Sequence, residues 1–397
     1  MSRIDELVAE LCPDGVEYRN LYDVAHFDRG QVITAKNTVD GGIPVVAGGQ
    51  KPAYYHNVSN RPAGTITVAG SGAYAGYVSM WDTPIWLSDA FSVAPNDEHE
   101  LSSAFLYQLL KLNQNWIYAK KKGSGVPHVH GADLSRLQIP VPPIEVQREI
   151  VCILDTFTAL TDTLTEELNC RRQQYAYDRD RLLSLESLEA LDGKPVEMKR
   201  LDEVFDLKNG YTPSKKKAEY WENGEVNWFR MEDIRANGNV LNDSIQKVSI
   251  DGIKGGKLFE ANSLIVATSA TIGEHALVTV PFMCNQRFTC LTRKPAYRNS
   301  LDMKFVSHYA SKLDEYCLEN TNQGGFASVS MPAFKSFPIP VPSLATQQKV
   351  VDILDRFDAL TTSLTDGLPA EIEARKAQYA YYRDRLLDFP RKEVAAS

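Results

Sequence analysis

The chain has 397 residues, of which 43% are hydrophobic and 24% are charged, which is enough for two or three globular domains. No apolar run approaches the roughly 18 residues of a membrane span, and the acidic start MSRIDELVAEL is unlike a signal peptide, so we expect a cytoplasmic protein without membrane contact. The net charge of −8 argues, at face value, against a nucleic-acid partner. The six cysteines form no CxxC pair, so we predict reduced, structural cysteines and no metal site.

The first 142 residues predict a short lead-in and a globular region. The lead-in is residues 1–20, and residues 21–142 hold short β-type runs broken by Gly, Pro, Asn and Asp. These runs are IPVVAG, GTITVAG, AGYVSMW and FSVAP, and a helical segment, AFLYQLLKLNQNWIYAKKK, follows them. The mixture predicts a globular α/β region.

A central helical region is predicted at residues 143–192. Pro140 and Pro142 end the preceding element, and apolar residues then recur three or four positions apart, as in a coiled coil. The recurring residues are Ile150, Leu154, Phe157, Leu160, Leu164 and Leu168. A helix from about Ile144 to about Ser187 would be roughly 60 Å long at 1.5 Å per residue. So polar a helix requires a packing partner.

The second half of the chain repeats the first. A globular region at residues 193–342 carries the runs VNWFRM, SLIVATSA, HALVTV, FTCLT and KFVSHYASKLDEYC, and a distal helical region follows at residues 343–397. The lead-ins match at an offset of 180 positions, and the helices match at 200 up to Leu164 and at 204 from Glu167 onward. The contexts around Val68 and Val266 also align, as do SDAFSV and NQRFTC. A duplicated unit of lead-in, globular region and helix is indicated.

We therefore predict an α+β protein with an internal pseudo-twofold repeat, in which two globular α/β regions are separated by two long antiparallel coiled-coil helices. In that arrangement Phe157 and Leu160 would meet Phe357 and Leu360 near the middle of the helix pair. The alternative is that the two copies are unrelated core helices of one large fold.

The repeated motifs carry a resemblance to a known family. Both copies contain IPVP, a glutamine (Gln147 and Gln347), ILD and then QYAYxRDRLL, and in this they resemble the specificity subunits of type I restriction-modification systems. The first copy departs from the pattern at Asp178, where the second has Tyr382, and at Asn169-Cys170.

The resemblance implies a non-enzymatic subunit whose two globular regions are target recognition domains. Each domain would recognise one half of a split sequence in double-stranded DNA. The helices would hold the domains apart and dock two methyltransferase (M) subunits, which connect to restriction and motor (R) subunits. It implies no cofactor on this chain, with S-adenosylmethionine carried by the M subunits.

Candidate DNA contacts in the first domain centre on the segment AKKKGSGVPHVH. Its lysines suit phosphates, and its glycines allow close backbone approach, whereas the alternative is a solvated helix C-terminus. Ser71 is added because loops after buried strands often carry binding residues, and Lys36 because it lies in the loop after Gly30. The full set is Lys36, Ser71, Lys120, Lys121, Lys122, Gly123, Ser124, Gly125 and His128.

The second domain offers a corresponding set. Asn322 and Gln323 could pair with adenine through their amides, although a plain polar turn is the alternative. Lys215, Lys216 and Lys217 form the densest cationic run in this domain, with a solvated loop as the alternative. Further candidates for base or backbone contact are Arg230, Arg235, Ser269 and Thr271. Glu232 and Asp233 could instead simply pair with the two arginines.

The helices carry tyrosine and arginine pairs four residues apart, within reach of cation–π contact. The residues are Tyr175, Tyr177, Arg179 and Arg181 in the first copy and Tyr379, Tyr381, Arg383 and Arg385 in the second. Their recurrence favours a docking surface for partner subunits, and a self-stabilised helix face is the alternative.

No catalytic motif is present: the chain lacks a Gly-rich S-adenosylmethionine loop, a P-loop and a deaminase zinc motif. Two other classes of function stay open at this point. One is a protein-interaction scaffold with two binding ends on a coiled-coil rod, and the other is an enzyme with an unrecognised site.

Overall fold

The computed structural model describes residues 3–123, 125–322, 327–362 and 367–392. The chain forms two compact units, of which unit 1 is Met1–Glu166 with Ala370–Ser397 and unit 2 is Glu167–Pro369. Each unit therefore combines one globular region with parts of both helical regions. Among the described parts of the chain, no helix has both the length and the apolar content needed to cross a bilayer.

The globular part of unit 1 alternates short strands and short helices. In chain order these are α1 (Arg3–Leu11), β1 (Tyr18–Asn20), α2 (Leu21–Val24), β2 (Ala25–Arg29), β3 (Ile43–Val46), β4 (Tyr54–His56), β5 (Thr65–Ala69), β6 (Val78–Trp81), β7 (Trp86–Leu87), β8 (Ala90–Pro95), α3 (Ser103–Leu112), α4 (Gln114–Tyr118), α5 (Gly131–Leu134) and β9 (Gln138–Pro140).

Two sheets organise this region. The antiparallel sheet has the order β2-β8-β5-β6, and the smaller sheet has the order β4-β3-β7, in which β3 and β7 are parallel. Strand β1 pairs with β9, so the lead-in closes against the end of the region. Phe105 and Leu109 of α3 are buried in the same core as Ile66 and Val68 of β5. The helix thus packs its apolar face on the larger sheet.

Unit 2 repeats this plan with additional elements. After α6 (Ile144–Leu182), which is shared by both units, they are α7 (Leu185–Asp192), β10 (Glu197–Arg200), α8 (Leu201–Val204), β11 (Phe205–Asn209), β12 (Val226–Phe229), α9 (Met231–Asn237), β13 (Val240–Leu241), β14 (Lys247–Val248), β15 (Ser263–Ala267), β16 (His275–Val278), β17 (Met283–Cys284), β18 (Phe288–Arg293), α10 (Met303–Glu319), β19 (Thr321–Asn322), β20 (Ser328–Val329), α11 (Met331–Ser336), β21 (Pro338–Val341) and α12 (Leu344–Thr362).

The sheets of unit 2 match those of unit 1. The larger sheet has the order β11-β18-β15-β16-β13, and the smaller one has the order β14-β12-β17 with β12 and β17 parallel. Strand β10 pairs with β21 as β1 pairs with β9. The predicted duplication therefore extends to strand order and pairing.

One detail of the predicted alignment is wrong. Arg29 pairs with Phe91, and the corresponding Asn209 pairs with Thr289. Phe91 therefore corresponds to Thr289, and SDAFSV and NQRFTC are one residue out of step. The turn that precedes β18 is one residue longer than the turn that precedes β8, which places Gln286 and Arg287 where unit 1 has Asp89.

Two glycines at corresponding positions of the repeat, Gly30 and Gly210, are required by close backbone contact. A Cβ atom on Gly30 would lie 2.2 Å from the carbonyl oxygen of Ser88, and one on Gly210 would lie 2.1 Å from that of Asn285. Both distances are shorter than any real contact, so only glycine fits where β2 and β11 end.

The helical regions differ from the prediction in length and in pairing. Helix α6 ends at Leu182 rather than near Ser187, and the second copy is described as α12 and α13 (Leu368–Leu386) rather than as one helix. Gly367 lies outside both helices, and Pro369 fits the first turn of α13, where its missing amide is tolerated.

Phe157 and Phe357, which were expected to meet each other, each form a ring pair within their own unit. Phe157 stacks on Tyr382 in unit 1, with ring centroids 5.3 Å apart, and Phe357 packs against Tyr175 in unit 2 at 6.1 Å. Leu160 and Leu360 are each 39% exposed, so neither lies in a closed apolar interface.

Candidate nucleic-acid interface

The first candidate surface is a hairpin that follows α4. Lys122 and His128 exchange backbone hydrogen bonds of 3.0 and 2.8 Å, and Ser71 forms a β-bridge with His128. Gly123 turns the chain with φ of +109°, a value that favours glycine. The fold thus brings Ser71, which the sequence marked separately, against the segment that holds Lys122, Gly123 and His128. Ser124 lies outside the described residues.

Each lysine of this segment is held by its own domain. The ammonium of Lys120 lies 4.1 Å from the Trp116 ring centroid, and that of Lys121 lies 4.4 Å from the Tyr118 ring and donates to the carbonyl oxygen of Ala73. The lysines follow the C-terminus of α4, as the solvated-helix alternative expected. Contact with phosphate therefore stays a prediction for these residues.

Lys122 forms an ion pair with Asp133. Burial raises the pKa of Asp133, but the hydrogen bonds from Lys122 and from the His130 amide outweigh burial and leave this pKa below its ordinary value. Lys36 lies apart, exposed in a short turn, and Gly125 is also exposed.

The corresponding hairpin of unit 2 has the same geometry. Asn322 pairs with Ser328 across β19 and β20, and Ser328 bridges to Ser269 as His128 does to Ser71. Ala270, beside Ser269, has φ of +67° and donates its amide to Ala327. Asn322 is exposed, whereas Gln323 lies outside the described residues.

A cleft of about 670 Å³ in unit 2 collects several of the predicted residues. Lys215, Arg230, Arg235 and Thr271 all line it, although they come from three separate segments of the chain. Lys216 and Lys217 are exposed outside the cleft, and the ammonium of Lys217 donates to the hydroxyl of Tyr220.

Sequence reasoning missed the rest of the cleft wall. Further lining residues are Thr212, Trp221, Trp228, Gln246, Gln286 and Arg287. Trp228 was hidden in the strand-like run VNWFRM, and Arg287 was hidden by the alignment that is one residue out of step. The extra residue of the longer turn shows only in the strand registers of the two domains.

The acidic neighbours of the two arginines have different roles. Asp233 is fully buried and accepts the amides of Arg230 and Ile245, each at 2.7 Å, so it pairs with the backbone rather than with an arginine side chain. Glu232 lies 3.8 Å from Arg230, and Glu274 lies 3.6 Å from Arg235. These partly exposed pairs leave most guanidinium donors open.

Half of the predicted docking residues turn inward. The hydroxyl of Tyr379 donates to Gln108 at 2.8 Å, and the Arg383 guanidinium lies 5.9 Å from the Tyr379 ring centroid, as the cation–π spacing predicted. Burial raises the pKa of Tyr379, and burial beside Asp358 raises that of Tyr175. Arg179 is half-buried and pairs with Asp180. These residues pack on their own units.

The other half faces outward. Tyr177 is 67% exposed and Tyr381 is 59% exposed, and Arg181 and Arg385 are exposed beside them. If this surface docks a partner, these four residues are available to it. Among the described residues, no cluster of His, Cys, Asp and Glu is suited to a metal ion.

Comparison with known proteins agrees with this duplicated architecture. The model of the family described as "Type I restriction modification DNA specificity domain" matches residues 13–170 and again residues 193–374. The chain belongs to the type I restriction-modification DNA specificity family. Such specificity subunits are the non-catalytic members of type I complexes, as the resemblance implied.

Curated relatives point the same way. The chain is 54% identical over 211 residues to the type I restriction enzyme EcoprrI specificity subunit of Escherichia coli, a match that covers 51% of this chain and only 53% of that protein. It is 38% identical over 282 residues to the EcoR124I/EcoR124II specificity subunit of E. coli, and this match covers 67% of each chain.

Solved structures share the fold at low identity. The type I S subunit from M. genitalium superposes with a TM-score of 0.58 at 19% identity over 94% of this chain and 96% of that one. A chain from a study of assembly and conformational transition in the type I system gives 0.60 at 17% identity, over 94% of this chain and 97% of that one. The predicted α+β fold with two globular regions and long packed helices is thereby confirmed.

Proposed function

We propose that this specificity subunit recognises a bipartite sequence in double-stranded DNA. Its target recognition domains are the globular regions within residues 21–142 and 193–342, each of which binds one half-site. The helical regions, residues 143–192 and 343–397, set the gap between half-sites and dock two M subunits, through which R subunits join. The observation that carries the proposal is that the two globular regions share one backbone frame but differ in the exposed side chains that this frame presents.

That frame is conserved within the chain down to single contacts. Gly30 and Gly210 allow the same backbone approach, and the bridges Ser71 to His128 and Ser269 to Ser328 place a hairpin at the same point of each domain. Yet one hairpin presents Lys122 where the other presents Asn322. Two copies that recognise different half-sites on one scaffold require this combination.

A salt titration tests the proposal. The chain is assembled with its M subunits, and binding to duplex DNA is followed by fluorescence anisotropy as salt increases. Phosphate contacts release counterions, so the logarithm of the affinity should fall linearly with that of salt, with a slope of about −0.9 per phosphate. Affinity that is independent of salt, or an assembly that binds no duplex, would favour the protein-interaction scaffold instead.

Charge-neutralising variants locate the contacts. A Lys120→Gln, Lys121→Gln double variant should reduce the salt slope by about two if both lysines reach phosphates. Lys376→Gln serves as the matched control, because Lys376 pairs with Glu373 on α13, away from the hairpin. An unchanged slope in the double variant would remove these lysines from the interface.

A further inference from the structure

The cleft in unit 2 is cationic although the protein as a whole is acidic. Its wall carries Lys215, Arg230, Arg235 and Arg287 against the carboxylates of Glu222 and Glu232, whereas the chain has a net charge of −8. Charge of this sign in a concave site attracts an electron-rich ligand. The four cations differ in how far the protein restrains them, and a restrained cation is the one suited to recognise a particular ligand.

Arg230 is the most restrained of the four. It stands directly after β12, and its amide donates to the buried carboxylate of Asp233 at 2.7 Å. The second oxygen of Asp233 accepts the Ile245 amide at 2.7 Å, which ties the turn to a neighbouring loop. The backbone of Arg230 is therefore fixed before any ligand arrives.

The guanidinium of Arg230 is also supported from below. It lies 5.7 Å from the ring centroid of Trp228, whose indole donates to the carbonyl oxygen of Tyr211 at 2.9 Å. Trp221 packs edge-on against that ring with centroids 4.9 Å apart. A planar guanidinium held over an aromatic face loses little further freedom when it forms two parallel hydrogen bonds.

The Arg230 guanidinium still has donors available for a ligand. Its Nε atom is buried and has no hydrogen-bond partner among the described residues. The only carboxylate recorded beside it in the described structure is Glu232 at 3.8 Å, whose side chain is 61% exposed. By contrast, Lys215, Arg235 and Arg287 are exposed, and the Arg235 side chain is 61% exposed and paired with Glu274.

The first domain has no equivalent residue. Val46 pairs with Leu87 as Phe229 pairs with Cys284, so Val45 corresponds to Trp228 and Ala47 to Arg230. The longer turn that supplies Arg287 is likewise confined to the second domain. Arg230 and Trp228 therefore belong to the residues that differ between the two domains and not to the backbone frame that both domains share.

We infer that Arg230 recognises a guanine in the half-site bound by the second domain, which rests on the function proposed above. An arginine offers donors and no acceptor, and guanine presents two acceptors, O6 and N7, on its major-groove edge. Adenine presents one acceptor and one donor there, which suits an amide side chain instead. Lys215, Arg235 and Arg287 contact the flanking phosphates.

The experiment starts from the wild-type complex with its M subunits. Its preferred sequence is selected from duplexes with randomised half-sites, and the selection is repeated with Arg230→Gln. We expect the variant to lose its preference at one guanine of the second half-site, a preference of roughly 5- to 150-fold in the wild type, and to keep all other positions.

An atomic substitution in the DNA identifies the contact. Replacing that guanine by 7-deazaguanine removes N7 and should weaken wild-type binding about fivefold. It should have no further effect on Arg230→Gln, because the partner of N7 is already gone. Arg230→Lys keeps the charge but not the paired donors, and should retain affinity while losing part of the guanine preference.

Arg235→Gln is the matched comparison, since it lies on the same cleft wall. It should weaken binding to all sequences about equally and reduce the salt slope by about one. The inference is overturned if Arg230→Gln behaves in this uniform way, if the relaxed position is not guanine, or if 7-deazaguanine weakens both proteins equally. Failure of the wild type to select any sequence would instead contradict the function proposed for the whole chain.

Discussion

One buried glutamine in each copy joins the globular domain to its long helix. Gln147 is fully buried, accepts the Ser102 amide at 2.9 Å and donates to the carbonyl oxygens of Glu100 and Pro142. Gln347 makes the same three bonds to Asp302, Ser300 and Pro342. Each glutamine side chain thus forms hydrogen bonds with backbone groups at the start of a domain helix and at the start of a long helix. A primary amide suits this role because it carries both donors and an acceptor.

Gln147→Ala should destabilise unit 1 by about 3 kcal/mol, because three backbone groups lose their partner inside the protein. The measurement is urea unfolding followed by tryptophan fluorescence. Gln348→Ala is the matched control, since the Gln348 side chain donates to Asp352 on the exposed face of α12 and its loss should cost less than about 0.5 kcal/mol. Equal effects of the two variants would contradict the role given to Gln147.

A polar contact in unit 2 is formed by residues whose counterparts in unit 1 are apolar. Asp192 accepts hydrogen bonds from the Ser343 amide and hydroxyl and from the Thr346 hydroxyl, at the start of α12. The offsets of the repeat place Cys12, Pro143 and Val146 at the corresponding positions of unit 1. Hydrogen bonds from Ser343 and Thr346 hold the pKa of Asp192 below its ordinary value, whereas burial raises that of Cys12.

This contact predicts an acid-sensitive share of stability in unit 2. The folded pKa of Asp192 is depressed, so its stabilisation is complete above the unfolded pKa and is lost as the pH falls toward the folded one. Asp192→Asn should therefore be less stable than the wild type near pH 7, with the difference shrinking below about pH 4. Melting temperatures across this range test it, and a difference independent of pH would count against it.

At the scale of elements, the two copies use their aromatic residues differently. Tyr382 stacks on Phe157 in unit 1, whereas the corresponding residue of the first copy is Asp178, and in unit 2 Phe357 packs on Tyr175 instead. Helix α6 runs without interruption from Ile144 to Leu182 and contributes Ile150 and Leu154 to the core of unit 1. Its later part contributes Leu182 and Tyr175 to the core of unit 2.

The continuity of α6 predicts that it sets the gap between half-sites. Four residues inserted within Thr163 to Leu168 lengthen a helix by roughly 6 Å and rotate its far end by roughly 40°. The variant should keep both half-site sequences but prefer a longer gap, which duplexes with graded gaps can measure. A Thr163→Ala, Thr165→Ala variant alters the same segment at constant length and should keep the original gap. An unchanged preference after insertion would show that the helix is not the ruler.

At the scale of the molecule, the lead-in of unit 1 lies against the segment that follows α13. The amide of Val16 donates to the carbonyl oxygen of Pro390 at 2.8 Å, and the amide of Lys392 donates to Val16 at 3.0 Å. A Cβ atom on Gly15 would lie 2.6 Å from the Pro390 oxygen, so glycine is required for this approach. The lead-in of unit 1 is therefore held beside the end of the last helix.

This contact supports a circular permutant. Joining Arg391 to Ser2 through a short flexible linker, and opening the chain between α6 and α7, should leave folding, M-subunit docking and sequence preference intact. Opening near Asp192-Gly193 would disturb the bonds by which Asp192 holds the start of α12, so Ser184 is the better point. Ser2 lies outside the described residues. Circular dichroism and pull-down with M subunits test it, and a helical permutant that fails to dock would contradict it.

The sequence by itself determined the duplication, the long helices and the alternation of strand and helix, because these depend on periodicity and spacing that survive in one dimension. It also marked Gln147 and Gln347, whose positions recur in both copies. Tertiary structure decided which side chains meet. Phe157 meets Tyr382 because the register of the paired helices cannot be read from the offset of the sequence repeat. Lys215, Arg230, Arg235 and Thr271 share one cleft because strand pairing brings distant turns together. The orientation of Tyr175 and Tyr379 toward their own units, with Tyr177 and Tyr381 left exposed, depends on helix phase against a neighbouring surface, and that phase exists only in the folded molecule.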